Sequence, residues 1–473
     1  MSNKGLAFYD MEIYRNWCCI NIKLNDRFYR YEHTFNRPAP QDHLAWFMLN
    51  TTLVGFNNQR YDDIMILMMY HRFTTKQMYD VSQRLIVDKE PAYKVIESLK
   101  LNKKSNMYIL NIDSLDTIDI MNVLVGKAGL KLYGARVHYK KLQELPIPFD
   151  QLTTWEQQRI LVNYCDNDVG VTEYLHDTIK GEFDLRIGMG KQYDGIDLRS
   201  KSGPQIAEIL LVKMCEQARD GVTILKPKIG VNVPTEMRYD KPYWIKFKTD
   251  KYKKLLSEIC NDTFYLNEKT GHLILGDSVK DRIFLSNDCS LKMGIGGLHA
   301  VTMPGARFSS EEYAIEEQDF ASLYPHIIVN SNSYPLHFGV SFFDTYKYIL
   351  ASRLEDKHAG RKLESNSKKL ILNSSFGQFS SMYSRLYAPQ LLLNTTLSGQ
   401  LTLLMLIERV ELQGFNIFTA NTDSITLIYK RNRINEFHKI CDDFSKEVNI
   451  QLEGDFYSKY IQMNVNNYFA VYE

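Results

Sequence analysis

The stretch Ala314 to Pro325, AIEEQDFASLYP, reads as a strand over Ala314 to Phe320 that ends on a carboxylate, Asp319. Farther along, Asn416 to Tyr429, NIFTANTDSITLIY, reads as a hairpin with TANTDS at its tip. On a strand, side chains two apart share a face, so Asn421 and Asp423 are expected to point one way and Thr422 the other. The same residues also make an ordinary turn. Asp423 gains a chemical meaning only if carboxylates elsewhere join it.

A chain of 473 residues exceeds one usual core, so two or three domains are expected, with room for clefts. Its 44% hydrophobic and 24% charged residues are those of a soluble globular protein, and no uninterrupted apolar run approaches the roughly 18 residues that suggest a membrane span. The opening MSNKGLAFYDMEIY lacks the apolar stretch and small-residue cleavage site of a signal peptide, so a cytoplasmic protein with no membrane partner is expected. Seven cysteines, with only Cys18 and Cys19 adjacent, show no CxxC spacing, which argues against zinc and against a disulfide framework. A net charge of +1 neither requires nor excludes a polyanionic partner, because acidic metal clusters cancel basic grooves in the sum. Lys241 to Lys254 interleaves six lysines with aromatics, and Arg353 to Lys369 is densely basic. Each is either a solvated surface or a nucleic-acid track.

The first 180 or so residues alternate strand-like runs (GLAFYDMEIY, WCCINIKL, MYILNID) with helical ones, ending in WEQQRILVNYCDNDVGVTEYLHDTIK. That pattern is α/β. Periodicity weakens around Arg186 to Ser202, where a linker is expected. Beyond it, a helix over Gln205 to Gln217 and a series of strands lead to Asp319. A basic helical pair (Thr345 to Arg361, Asn366 to Phe379) and an apolar helix (Leu397 to Leu412) precede the hairpin.

Asp10 and Glu12 lie two apart in the first strand and share a face. Asp62 follows in VGFNNQRYDD, and Asp168 sits one helical turn after Tyr164. Any one of these alone is an ordinary surface acid. Four carboxylates converging on one point repel one another unless divalent cations lie between them, and two such ions about 4 Å apart activate a water for phosphodiester hydrolysis. Asp10-Met11-Glu12, Asn58-Gln59-Arg60-Tyr61-Asp62 and Tyr164 through Asp168 together resemble the Exo I, Exo II and Exo III motifs of the DEDDy 3′→5′ exonucleases. The resemblance implies an RNase H-like domain acting on single-stranded DNA, in which Tyr164 orients the attacking water while Asn58 and Tyr61 hold the frayed strand.

Asp319 through Pro325 (DFASLYP), Lys369 through Gly377 (KLILNSSFG) and the TANTDS tip resemble motifs A, B and C of the family B DNA polymerases. The resemblance implies template-directed addition of dNTPs to a primer 3′ end by two Mg2+ or Mn2+ ions per active site, held by Asp319 and Asp423. Arg353 and Lys357, four apart on one helical face, and Lys369 on the next helix would meet the triphosphate. By the same resemblance Tyr324 stacks under the sugar, the N–H groups of Ser322 and Leu323 touch phosphate, and Asn373 and Phe376 border the new base pair. Phe376 stands where Tyr is usual, which keeps the stacking surface and loses a hydroxyl. Gly294 through His299 is similar to the YxGG segment with its Tyr replaced, so only Gly296 and Gly297 are expected to touch template backbone. Motif C usually reads DTDS, and here Asn421 replaces the first carboxylate, which weakens the support for the metals without abolishing it.

The fold expected is thus α/β and α+β multidomain, an RNase H-like exonuclease followed by a polymerase palm with short helical fingers. Its parts are an exonuclease over residues 1–190, a linker and first palm segment over 191–340, fingers over 341–380 and a second palm segment over 381–473. Lys369 follows Asp319 by 50 residues, leaving no room for a terminal-protein insertion, so priming from a nucleic-acid 3′ end is expected. The compactness looks most like bacteriophage enzymes, working in the infected host's cytoplasm. Asn466-Asn467-Tyr468 resembles the KxY segment that contacts primer-terminus DNA, and five residues follow Tyr468. A thumb is therefore expected from a second polypeptide, as in a split polymerase, the alternative being that the chain is a truncated product. Two rival readings stay open: a proofreading nuclease alone, and a DNA-binding assembly subunit with an impaired polymerase site.

Overall fold

Asn25 and Asp26 both take left-handed backbone angles (φ 48° and 60°), which makes the two-residue turn joining Cys18–Leu24 (β2) to Arg27–His33 (β3). With Gly5–Ile13 (β1), Thr51–Gly55 (β4) and Ser114–Asp116 (β5), these strands form a sheet in the order β3-β2-β1-β4-β5. β1 is antiparallel to β2 and parallel to β4. The structure is a computed structural model that describes residues 4–101, 112–117, 128–280, 282–285, 289–301 and 304–473. Residues 107–111 of the expected MYILNID strand lie outside these. The chain divides into two compact units, Met1–Gly203 and Pro204–Glu473.

The helices of the first unit are Gln41–Asn50 (α1), Asp62–Tyr70 (α2), Thr75–Ile86 (α3), Ala92–Ser98 (α4), Leu130–Arg136 (α5), Trp155–Thr178 (α6) and Lys180–Gln192 (α7). A reciprocal capping box, Thr154 with Gln157, starts α6. Its stripe Leu161, Tyr164, Cys165, Asp168, Val169, Thr172 and Leu175 is buried, and the helix packs on β1 and β2. This packing carries Asp168 toward Asp10 and Glu12. The linker expected from Arg186 is partly wrong, because α7 continues to Gln192. Periodicity failed as a guide because a core position holds an arginine. Arg186 is fully buried; its Nη1 donates to the Glu182 carboxylate at 2.6 Å and its Nε to the Lys201 carbonyl at 2.9 Å, while Nη2 has no partner among the described residues.

The second unit opens with Gly203–Gln217 (α8) and a small sheet of Glu236–Met237 (β6), Phe264–Leu266 (β7) and Leu273–Ile274 (β8), with Asp250–Asn261 (α9) before β7. Its main sheet uses Ile283–Leu285 (β9), Ser290–Met293 (β10), Leu298–Val301 (β11), Gly305–Phe308 (β12), Tyr313–Phe320 (β13), Ile417–Asn421 (β14), Ser424–Lys430 (β15) and Leu452–Asn464 (β16). The order is β12-β16-β13-β15-β14-β11-β10-β9, and Asn467–Tyr472 (β17) also pairs with β16.

Alternation along β13 decides which face does what. Ala314 and Phe320 join one core with residues of Leu323–Asn330 (α10), Pro389–Glu411 (α13) and Ile434–Val448 (α14). Ile315, Glu317 and Asp319 turn to the other face, where Ile315 meets Phe418, Tyr457 and Tyr460. Glu316, buried on the helix side, accepts hydrogen bonds from Tyr429, from His438 Nε2 at 2.9 Å and from Gln318 at 2.5 Å. A side chain at Gly454 would press on Gln318 Nε2 and Glu316 Oε1, so glycine makes room for this cluster.

Helix α13 starts with Pro389 at its first position, two turns before the expected Leu397. Buried Thr395 and Thr396 hid the pattern. Among the described residues it is the one helix long and apolar enough to cross a membrane, and 89% of its apolar window is buried here, as suits a core helix. Val340–His358 (α11) and Lys362–Gln378 (α12) form an antiparallel pair whose turn holds Gly360 at φ 70°. Buried Asp356 clips the turn to Arg361 at 2.7 Å and Lys368 at 2.5 Å.

Candidate active sites

In the first unit the carboxylates of Asp10, Glu12 and Asp168 lie within 4.8 Å of one another. Burial, then Asp168, pushes the Asp10 carboxyl up to about 8, and burial followed by Asp10 and Asp168 raises Glu12. Asp62 stands outside this trio, although it is buried and feels the charge of Asp10. Tyr164 is buried beside Asp168, as expected from one helical turn. Asp168 Oδ1 is buried with no hydrogen-bond partner among the described residues. Hard oxygen donors so arranged, one of them orphaned, fit a divalent cation.

Asn58 and Tyr61 sit differently from the strand-holding pair expected of them. Asn58 is fully buried and donates to Asp63 at 3.3 Å, while the Tyr61 hydroxyl lies 2.8 Å from Ser82 Oγ. In this conformation their polar ends face inward, because both belong to the short turn leading into α2, which packs toward β1.

In the second unit a cavity of about 600 Å³ is lined by Asp319, Asp423 and Glu453 from the sheet and its hairpin and by Arg353, Lys357 and Lys369 from α11 and α12. Ser322, Leu323, Tyr324, Asn373 and Phe376 complete it. Asp319 opens onto this space, yet partial desolvation and then Asp423, Glu317, Glu453 and Asp455 push its carboxyl up to about 7. Burial raises Asp423 to about 6. Arg353 bonds Ser322 Oγ, and its Nε is buried with no partner among the described residues. Ser322 takes φ 59° at the start of α10, whose first N–H groups have no partner within the helix. Tyr324 and Phe376 stack on each other, centroids 4.2 Å apart and planes at 20°.

The hairpin corrects the simple alternation expected of Asn421 and Asp423. Asn421 ends β14 opposite Ser424, so Thr422 and Asp423 form a two-residue turn rather than continuing one strand. Thr422 takes φ 54°, an outlier for a β-branched residue, and the Asp423 N–H donates to Asn421 O at 2.5 Å. Its surroundings hold it there. Thr422 N–H donates to Leu298 O at 2.8 Å, and His299 Nε2 lies 3.2 Å from Thr422 Oγ1. Gly297, at φ 152°, has room only for hydrogen, since a Cβ would meet Thr422 at 3.0 Å. The glycine segment is fixed from below as well. Gln400 exchanges two hydrogen bonds with Gly294, 3.2 and 2.9 Å, and the Tyr324 hydroxyl donates to Gly296 O at 2.9 Å.

Among solved structures, the chain is similar to the family B DNA polymerase from the hyperthermophilic archaeon Pyrobaculum calidifontis, with a TM-score of 0.54 and 12% identity. All of this chain is covered and 59% of that polymerase. The likeness is one of fold. No family model and no curated protein matches the chain.

Three residues near these sites carry no local sequence signal. Lys131 on α5 stands 4.7 Å over the Tyr164 ring and tempers the rise of Asp10, Glu12 and Asp168. Glu453 is opposite Asp319 across β13 and β16. His299 is opposite Asn421. Directly opposed residues share a face, so Glu453, Asp319, Ser424, Asn421 and His299 form one row across four strand pairings. Tyr468 lies on this face too, stacked 5.0 Å from Tyr460 and sensing the charges of Glu317, Asp319 and Asp423.

Proposed function

We propose that this chain is a DNA-dependent DNA polymerase with a 3′→5′ proofreading exonuclease. Pro204–Glu473 would add dNTPs to a primer 3′ end on a DNA template, and Met1–Gly203 would remove mismatched nucleotides from a single-stranded 3′ end. The observation that carries this reading is the cavity that gathers three carboxylates of the sheet and three cations of the helical pair. Bound Mg2+ or Mn2+, two ions per site, would neutralise phosphate charge and activate the attacking oxygen. Asp319 and Asp423 would hold them in one unit; Asp10, Glu12 and Asp168, with Asp62 beside them, in the other. Arg353, Lys357 and Lys369 meet the triphosphate, and the N–H groups of Ser322 and Leu323 add donors at a helix start. Tyr324 and Phe376 form the apolar wall against which sugar and base settle, with Asn373 one turn before Phe376. Tyr164 orients the hydrolytic water beside Asp168.

Primer extension with Mg2+ and four dNTPs, paired with digestion of a labelled single strand, tests the whole reading. Digestion without extension would leave a nuclease alone, and neither activity would leave a binding subunit. Asn421→Asp is expected to remain active and to reach half-maximal extension at a magnesium concentration roughly two- to fivefold lower, since it adds a carboxylate beside Asp423. Complete loss of extension would show instead that the Asn421 amide makes a bond the site requires.

We assign DNA contacts to Gly296, Gly297 and Tyr468, and place the activity in phage replication in a bacterial cytoplasm on the shortness of the α11–α12 pair. A second polypeptide is assigned to the sheet edge. Phe308 and Val471 lie in one row with Lys459, and Phe469 lies opposite Ile461 in the next. Phe308, Met463, Phe469 and Val471 are all well exposed, an apolar face of the kind that partners cover. The purified chain alone is therefore expected to extend primers distributively, and long products from single binding events at physiological salt would overturn the partner.

A further inference from the structure

Glu453 Oε1 lies 2.9 Å from Lys357 Nζ, and both side chains are half exposed in the cavity. Lys357 sits on α11, in the last turn of that helix. Glu453 sits on β16, opposite Asp319. The contact therefore ties the helical pair to the sheet across the space a triphosphate would fill. Its counterpart on the same helix face, Arg353, bonds a neutral hydroxyl, Ser322 Oγ, and feels the Glu453 charge without forming an ion pair with it among the described residues. Of the three cations that line the cavity, Lys357 is the one that forms an ion pair with a carboxylate among the described residues. A carboxylate presents two anionic oxygens to an ammonium much as a phosphate does, so the two compete for one cation.

We propose that Glu453 is a specificity-setting gate for nucleotide: it holds Lys357 in the empty cavity and gives it up when a triphosphate enters. The proposal rests on the polymerase reading above. Glu453 is a positioning residue here, acting through Lys357 rather than on the reacting atoms. Nothing covalent changes; one ion pair is exchanged for another. A ligand with fewer phosphate charges displaces Glu453 less readily, so the gate favours triphosphates that reach Lys357. An exposed ion pair is weak enough to be exchanged on binding, and its loss is felt as affinity.

The test is a double-mutant cycle on the full chain bound to primer-template, with dATP titrated in Ca2+ to hold chemistry, and KM and kcat measured in Mg2+. Glu453→Gln is expected to tighten dATP about two- to fivefold and to lower KM by a similar factor. In a Lys357→Ala background the same substitution is expected to change affinity by less than about 1.5-fold, because the cation to be released is gone. Circular dichroism and thermal melting of each variant check that it folds. Equal tightening in both backgrounds would overturn the gate, leaving Glu453 as a general repelling charge. Weaker binding with a higher magnesium requirement would overturn it differently, making Glu453 a metal ligand. A wild-type chain that neither binds dATP nor extends a primer overturns the polymerase reading itself, whereas a wild type that does both while Glu453→Gln alters neither overturns only the gate.

Discussion

Asp319→Asn is expected to slow nucleotide addition by at least about 10³-fold while leaving digestion of a single-stranded 3′ end at the wild-type rate. The loss should be large because, on the proposed function, Asp319 and Asp423 hold the ions between them, and Asn421 beside Asp423 offers an uncharged amide. Desolvation and then the charges of Asp423, Glu317, Glu453 and Asp455 raise the Asp319 carboxyl to about 7. Removing one negative charge from so crowded a face relieves repulsion. Melting temperature should therefore hold or rise, which separates a catalytic loss from unfolding. The sparing of digestion follows from the placement of Asp10, Glu12 and Asp168 in a separately packed unit with its own sheet. A variant that lost both activities while keeping its melting transition would show that the two chemistries share Asp319, and the division into two sites would be wrong.

What could be read in the chain beforehand was whatever depends on near neighbours. Period two put Asp10 with Glu12 on one face of β1, period 3.6 put Tyr164 with Asp168 on α6, and a single short run marked β13, though not the helix α10 that follows it. What could not be read depends on tertiary return. Glu453 reaches Asp319 only because β16 comes back antiparallel to β13 after the helices α10 to α14 and the strands β14 and β15 have intervened. Lys131 lies on a seven-residue helix with no periodicity to recommend it, and it meets Tyr164 because α5 packs on α6. Arg186 and Thr395 are polar residues at core positions, and each masked a helix whose hydrogen bonds and packing overrule composition. The hairpin tip is intermediate: its existence was legible, but Thr422 in the left-handed region is imposed by Leu298, His299 and Gly297, which come from another strand.

Asp10→Ala with Glu12→Ala is expected to reduce single-strand digestion by about 10³-fold or more and to leave primer extension intact. The physical case starts from the protonation of the site without metal. Burial raises Asp10 to about 8 from an ordinary 3.8. A carboxyl raised on folding contributes stability that is fully present below the unfolded value and is lost as pH rises through the folded one. The metal-free first unit should therefore lose stability steadily between pH 4 and pH 8, and the double alanine variant should lose less. At pH 8 without metal, the variant is expected to melt higher than wild type, by about 2–4 °C for each kcal/mol of repulsion removed. A divalent cation reverses the sign, because it binds the ionised carboxylates and competes with their protons. Mn2+ titration followed by electron paramagnetic resonance should accordingly show tighter binding as pH rises from 6 to 8. In the double variant the ions owed to this trio should vanish while those that depend on Asp319 remain. If the variant instead melted lower than wild type at pH 8 without metal, the three carboxylates would not be repelling one another, and the cation-binding reading of the cluster would fail with them.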